Sequence, residues 1–106
     1  PNQQSKYQIL KSLEQDSNLT QRQLSEGLGI SLGKVNYCLK SLIQKGFVKI
    51  NNFKNSNHKL QYSYLLTPKG VAEKTKLTIM FLNVKTEEYE ELKKEVEKLT
   101  NAKTGK

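Results

Sequence analysis

The sequence predicts a mainly α-helical chain with one small β-hairpin and a long C-terminal helix. Three observations lead there. Apolar residues recur at helical spacing in three short segments before Gly46. Two runs rich in apolar and aromatic residues follow, Phe47–Phe53 and Leu60–Leu66, separated by a polar basic loop. Thr67-Pro68 then opens a helical pattern that continues to about Asn101, with no glycine between Gly70 and that point.

The first helix is expected over Gln3–Asp16. Tyr7, Ile9, Leu10 and Leu13 lie on one stripe, and the turn cluster Asp16-Ser17-Asn18 ends it. Thr20 is placed to cap a short second helix that runs through Leu24 to about Leu28. Gly29 fits the exit from that helix, because glycine enters the left-handed region without strain. Ser31 caps a third helix, Leu32 to about Lys45, which Gly46 stops. At about 100° per residue, Leu32, Leu39 and Leu42 fall within about 60° of Val35, with Cys38 and Ile43 beside them. That is a core face. The opposite side carries Gly33, Tyr37, Lys40 and Gln44, with Lys34, Asn36 and Ser41 on its shoulders and no acid at all. In the second strand, Leu60, Tyr62, Tyr64 and Leu66 alternate onto one side. The helix after Thr67 is expected as one piece, or as two in series broken near Asn83.

A chain of 106 residues has room for one small domain with an appended helix. This divides it into a domain at residues 1–67, a C-terminal helix at 68–101 and a frayed tail at 102–106. The apolar share, 35%, is low but patterned, unlike that of a disordered chain. There is no run long enough to span a bilayer and no apolar segment near the start that resembles a secretory signal. One cysteine and one histidine, far apart, exclude a disulfide framework and make a poor basis for metal or nucleophilic chemistry. A cytoplasmic setting fits, no cofactor is expected, and nothing supports an enzyme. The charge is decisive. Lys and Arg total 18 against 10 Asp and Glu, a net +8, which suggests an anionic partner. Nine bases and three acids precede Pro68, whereas nine bases and seven acids follow Thr67. The positive excess therefore sits in the first two thirds.

The order helix, helix, tight turn, helix, hairpin, helix is that of a winged helix-turn-helix. The stretch Thr20 to Gly46 resembles the helix-turn-helix of MarR-type bacterial regulators. Leu24, Leu28, Ile30, Val35 and Cys38 fall where that motif wants apolar residues, and Ser25 and Gly29 where it wants a small residue and the turn glycine. Leu65-Leu66-Thr67-Pro68-Lys69-Gly70 and the stretch from Phe81 through Tyr89 to Leu92 are also similar to the family. The chain resembles in particular the MarR family EPS-associated transcriptional regulators, and Ile30 to Lys40 is the most specific part of that resemblance. The resemblance implies a bacterial transcriptional regulator, and the subgroup name a link to exopolysaccharide gene clusters. Some family members use a reactive cysteine, which sets a redox role for Cys38 against its plain reading as a core residue.

The case for double-stranded DNA also stands on the residues. A major groove admits an α-helix. Ser31, Gly33, Lys34, Asn36, Tyr37 and Lys40 cluster near the N-terminal half of the third helix, where a recognition helix meets base edges. Asn36 has the chemistry to pair bidentately with adenine, Lys34 or Lys40 to donate to guanine or phosphate, and Gly33 to allow close approach. Thr20, Gln21 and Arg22 stand at a helix start that favours a phosphate. Lys54, Asn55, Asn57, His58 and Lys59 make a wing for the backbone or the minor groove. The bland alternatives are solvated lysines, a Tyr37 packed over a neighbouring turn, and a loop histidine.

The C-terminal helix offers more apolar surface than one small core hides. Leu77, Phe81, Leu82, Tyr89, Leu92, Val96 and Leu99 are the candidate homodimer contacts. With Leu82, Tyr89 and Val96 at heptad position a, Leu92 and Leu99 take d, while Lys85 interrupts the seam. A rival reading makes the chain a protein-interaction module whose C-terminal helix binds a different protein. Another makes it a single-strand or RNA binder, which needs Tyr37, Tyr62 and Tyr64 exposed together. A membrane-surface role ranks last, since the last helix mixes both charges. No residue set identifies a small-molecule effector.

Overall fold

A computed structural model of the chain describes residues 2–54, 57 and 60–103; the side chains at 53, 54, 60, 102 and 103 lie outside that description. The elements run α1 (Gln3–Gln15), α2 (Gln21–Leu28), α3 (Leu32–Gln44), β1 (Val48–Lys54), β2 (Leu60–Leu66) and α4 (Pro68–Lys103). The chain forms two compact units, Pro1–Thr75 and Lys76–Lys106.

In the first unit the three short helices and the hairpin surround one core. Ile9, Leu10 and Leu13 of α1, Leu24 of α2, and Val35, Cys38, Leu39 and Leu42 of α3 are buried, with Val48 and Tyr64 from the hairpin. Each fully buried aliphatic side chain contributes roughly 1.5–3 kcal/mol. Leu32 departs from the expected stripe. It is 43% exposed, because it is the first residue of α3 and the core begins one turn later at Val35.

β1 and β2 pair antiparallel from Val48↔Leu66 to Lys54↔Leu60. β1 starts one residue later than expected. The Phe47 amide still donates to Leu42 O at 2.9 Å and so belongs to the turn that leaves α3. An isolated bridge, Leu19↔Tyr64, adds a third strand position to the sheet, with Tyr64 N donating to Leu19 O at 3.0 Å. The expected alternation in β2 is broken. Tyr64 is buried, but Tyr62 is 51% exposed and Ser63 is fully buried. Ser63 is held by polar groups: its one hydroxyl proton is shared between two acceptors, Asn51 O at 3.2 Å and Asn18 Oδ1 at 3.3 Å. Asn18 itself takes φ 62, a left-handed conformation that asparagine tolerates.

Thr67 opens α4 as expected. Its hydroxyl accepts from the Gly70 amide at 3.0 Å and donates to Gly46 O at 2.6 Å, which fastens the helix start to the end of α3. Two ion pairs link α1 to the first turns of α4: Lys6 Nζ to Glu73 at 2.9 Å and Lys74 Nζ to Glu14 at 2.8 Å. Lys6 is nearly buried, and its ammonium also lies 5.3 Å from the centre of the Phe47 ring.

The second unit is the remainder of α4. The helix is continuous through Asn83 and reaches Lys103, two residues beyond the expected end. Of the expected tail, Ala102 and Lys103 have helical backbone, and residues 104–106 lie outside the described residues. Among the described residues, no helix is long and apolar enough to cross a membrane.

Candidate nucleic-acid interface

The interface begins with α2, whose start is doubly capped. Thr20 Oγ1 accepts from the Gln23 amide at 3.1 Å, and Gln23 Oε1 accepts from the Thr20 amide at 2.9 Å. At its far end Gly29 takes φ 67 and donates to Ser25 O at 3.0 Å. The Ser25 hydroxyl donates to Ile30 O at 2.6 Å and so closes the turn from the side-chain side. Three residues therefore separate α2 from α3. Ser31 Oγ caps α3 by accepting from the Lys34 amide at 3.1 Å.

This turn fixes which face of α3 looks out. Val35, Cys38, Leu39 and Leu42 face the core, whereas Ser31, Gly33, Lys34, Tyr37 and Lys40 are exposed together. Tyr37 is 62% exposed, so it does not pack over a neighbouring turn. A Cβ built on Gly33 meets no atom within 4 Å, so nothing inside the chain requires glycine there. No carboxylate belongs to α3.

Two expected contact residues have a different place. Gln21 Nε2 donates to Asn36 Oδ1 at 3.0 Å and to the Tyr64 hydroxyl at 3.1 Å. Asn36 is half-buried, and its amide oxygen is engaged with α2 instead of facing outward with Lys34 and Tyr37. Nothing in the order of residues marks this tie, since residues 21, 36 and 64 converge only when the hairpin folds back on the helices.

Thr20, Gln21 and Arg22 line an open cleft of about 420 Å³ together with Gln61, Tyr62 and Tyr64. Arg22, the chain's single arginine, is exposed at its edge. Gln61 is not among the residues expected from the sequence, and Tyr62, expected to share a side with Tyr64, is exposed. With Tyr64 at 6% exposure, the three-tyrosine stacking surface does not form. In the wing, Asn57 is exposed; the Lys54 side chain and Asn55, His58 and Lys59 lie outside the described residues.

Cys38 is buried. Among the described residues, no group of three or more His, Cys, Asp or Glu is placed to hold a metal ion. Among the described residues, one side chain has a clearly shifted pKa, and it lies away from the interface. The hydrogen bond from Lys74 to Glu14 holds its ammonium above the usual lysine value, against a smaller lowering by burial.

Of the candidate dimer residues, Leu82, Tyr89, Leu92, Val96 and Leu99 are each at least 60% exposed. Phe81 is half-buried. Leu77 is buried within the single chain, which removes it from the exposed set.

A family model described as winged helix-turn-helix DNA-binding matches residues 3–49. Among curated proteins no sequence match is found. Solved structures are similar over most of the chain. The transcriptional regulator BldR from Sulfolobus solfataricus superposes with a TM-score of 0.66 at 17% identity, over 78% of this chain and 58% of that one. The oxidised form of MarR from E. coli gives 0.56 at 25% identity, over 68% and 49%. The adhesin competence repressor AdcR from Streptococcus pyogenes gives 0.53 at 26% identity, over 78% and 62%. A further MarR family transcription regulator gives 0.64 at 22% identity, over 77% and 53%. The chain thus spans little more than half the length of the first of these solved relatives. The chain has a winged helix-turn-helix fold, similar over residues 3–49 to a winged helix-turn-helix DNA-binding domain and, more widely, to the fold of MarR family transcription regulators.

Proposed function

We propose that this chain is a sequence-specific double-stranded-DNA-binding transcriptional regulator acting as a homodimer. In this reading α3 enters the major groove and the wing at 54–59 follows the backbone or the minor groove. The observation that carries it is the outer face of α3. Ser31, Gly33, Lys34, Tyr37 and Lys40 are exposed side by side on a helix without acids. The net charge of +8 supplies attraction to phosphate, and Arg22 stands exposed beside the start of α2.

The homodimer rests on Leu82, Tyr89, Leu92, Val96 and Leu99, which are exposed at heptad spacing in α4. A single winged helix also makes a small interface, and two half-sites supply the missing affinity. The link to exopolysaccharide genes rests on the sequence resemblance. Mapping bound sites on the source chromosome tests it: sites clustered upstream of such genes support it, and sites elsewhere remove it.

The deciding experiment compares duplex from the gene's own upstream region with random duplex at two salt concentrations. Tight binding that weakens with salt but keeps its preference is expected. Equal, weak binding to both that vanishes with salt would leave charge alone at work. It would move attention to the rival in which the C-terminal helix binds a different protein.

A further inference from the structure

We propose that Gln21 is a positioning residue that ties the recognition helix α3 to the wing strand β2 and so sets sequence discrimination. The inference rests on the DNA-binding reading above and assigns Gln21 and Asn36 a role other than touching DNA.

The geometry is specific. The Gln21 carboxamide has two N–H donors, and both are used: one on Asn36 Oδ1 at 3.0 Å, the other on the Tyr64 hydroxyl at 3.1 Å. Asn36 lies in α3 between the exposed Lys34 and Tyr37. Tyr64 lies in β2, is buried, pairs with Ile50 of β1 and bonds back to Leu19 just ahead of α2. One side chain at the start of α2 therefore holds a residue of the recognition helix and a residue of the wing sheet. The three elements that would meet DNA are joined by groups that are part-buried. Such bonds are stronger there than in water, and leaving a partner unpaired is costly.

The tie has a functional reading beyond stability. Base readout depends on the angle at which α3 enters the groove while the wing holds the backbone. If the two elements dock as one body, a helix fitted to its bases brings the wing to its phosphates. Without the tie each finds its own optimum, and wrong sequences lose less.

Gln21→Met keeps the length of the side chain and removes both donors. Tyr64→Phe keeps the buried ring and removes one acceptor, at a residue too buried to touch DNA. The probes are a duplex selected by the wild-type protein from a randomised pool and a random duplex of equal length, with folding of each variant confirmed by circular dichroism. Gln21→Met and Tyr64→Phe are each expected to lower the ratio of selected to random affinity about three- to tenfold, the worth of one or two net hydrogen bonds. The double variant loses no more than Gln21→Met alone, and the salt slope is unchanged because no charge is altered. If Gln21→Met weakens both duplexes equally while Tyr64→Phe changes neither, Gln21 is a DNA contact and the proposal is overturned.

The free protein gives a second reading. Tyr64→Phe should move the Asn36 side-chain amide resonances, and should no longer do so once Gln21 is Met. Unmoved resonances overturn the tie whatever the DNA result. A wild-type protein that prefers no duplex, with the resonances coupled as expected, refutes the DNA-binding reading and with it the role in discrimination.

Discussion

Gly33 and Gly70 both lie in the first turn of a helix, and the interior of the chain requires only one of them. A Cβ at Gly70 would overlap the Phe47 carbonyl oxygen and crowd Leu66. Gly70→Ala should therefore destabilise the fold by about 1–3 kcal/mol, read as a fall in the denaturation midpoint. Gly33 faces open space. Gly33→Ala should leave stability unchanged or raise it by up to about 1 kcal/mol through helix propensity. It should nevertheless weaken duplex binding, which an equilibrium titration would show; full affinity would remove close approach from the role of Gly33. Lys34→Ala and Lys40→Ala should each lower the salt slope of binding by up to about one unit if the ammonium meets phosphate. Two unchanged slopes would remove that contact. The Lys74–Glu14 pair follows a simple sign. Its folded pKa is raised above 10.5, so its contribution is present below that value and is lost only as pH climbs through the raised one. Single residues were legible where their role is local: the caps Thr20, Ser31 and Thr67 and the turn glycine Gly29 follow from neighbours in the chain. Gln21, Asn36, Ser63 and Lys6 were not, because their partners stand 12 to 67 positions away.

Helices α1, α3 and α4 were legible as elements because periodicity over ten or more residues averages out local exceptions, and the shorter α2 because Thr20 and Gly29 bracket it. α3 kept its core stripe from Val35 to Leu42 even though Leu32 left it. The strands were less so. A two-stranded hairpin buries only part of each strand, so Tyr62 and Tyr64 share a parity but not an environment. The continuity of α4 through Asn83 has the same origin as the helices: one asparagine costs well under 1 kcal/mol against a run of good helix formers. The heptad reading of its later part carries its own test. Leu92→Asp places a charge in the middle of the exposed seam, where it breaks no buried contact of the single chain. The helix content should be retained while sedimentation shifts from dimer to monomer at micromolar concentration. A wild-type protein already monomeric there would rule out the seam as a self-contact.

For the whole molecule, the uneven charge and the fold point the same way. The basic excess lies before Pro68, the part that folds into the winged helix-turn-helix. A two-fold dimer of such domains predicts an operator with two inverted half-sites, spaced by about one helical turn or a multiple of it. Footprinting that shows a single unpaired half-site would contradict the dimer while leaving the recognition helix in place.

The missing carboxylates of α3 also constrain the letters of that operator. Acidic side chains accept from the cytosine amino group, and free amides pair with adenine. α3 has no acid, and its one asparagine already holds an internal partner. Apart from Gln44 at the far end of the helix, the outward side chains with donors or a ring between Leu32 and Lys40 are two ammonium groups and a phenol, suited to the guanine acceptors and the thymine methyl. Half-sites selected from a random pool should thus be rich in G and T on the strand that α3 reads. Substituting adenine for a selected guanine should cost more than most other exchanges.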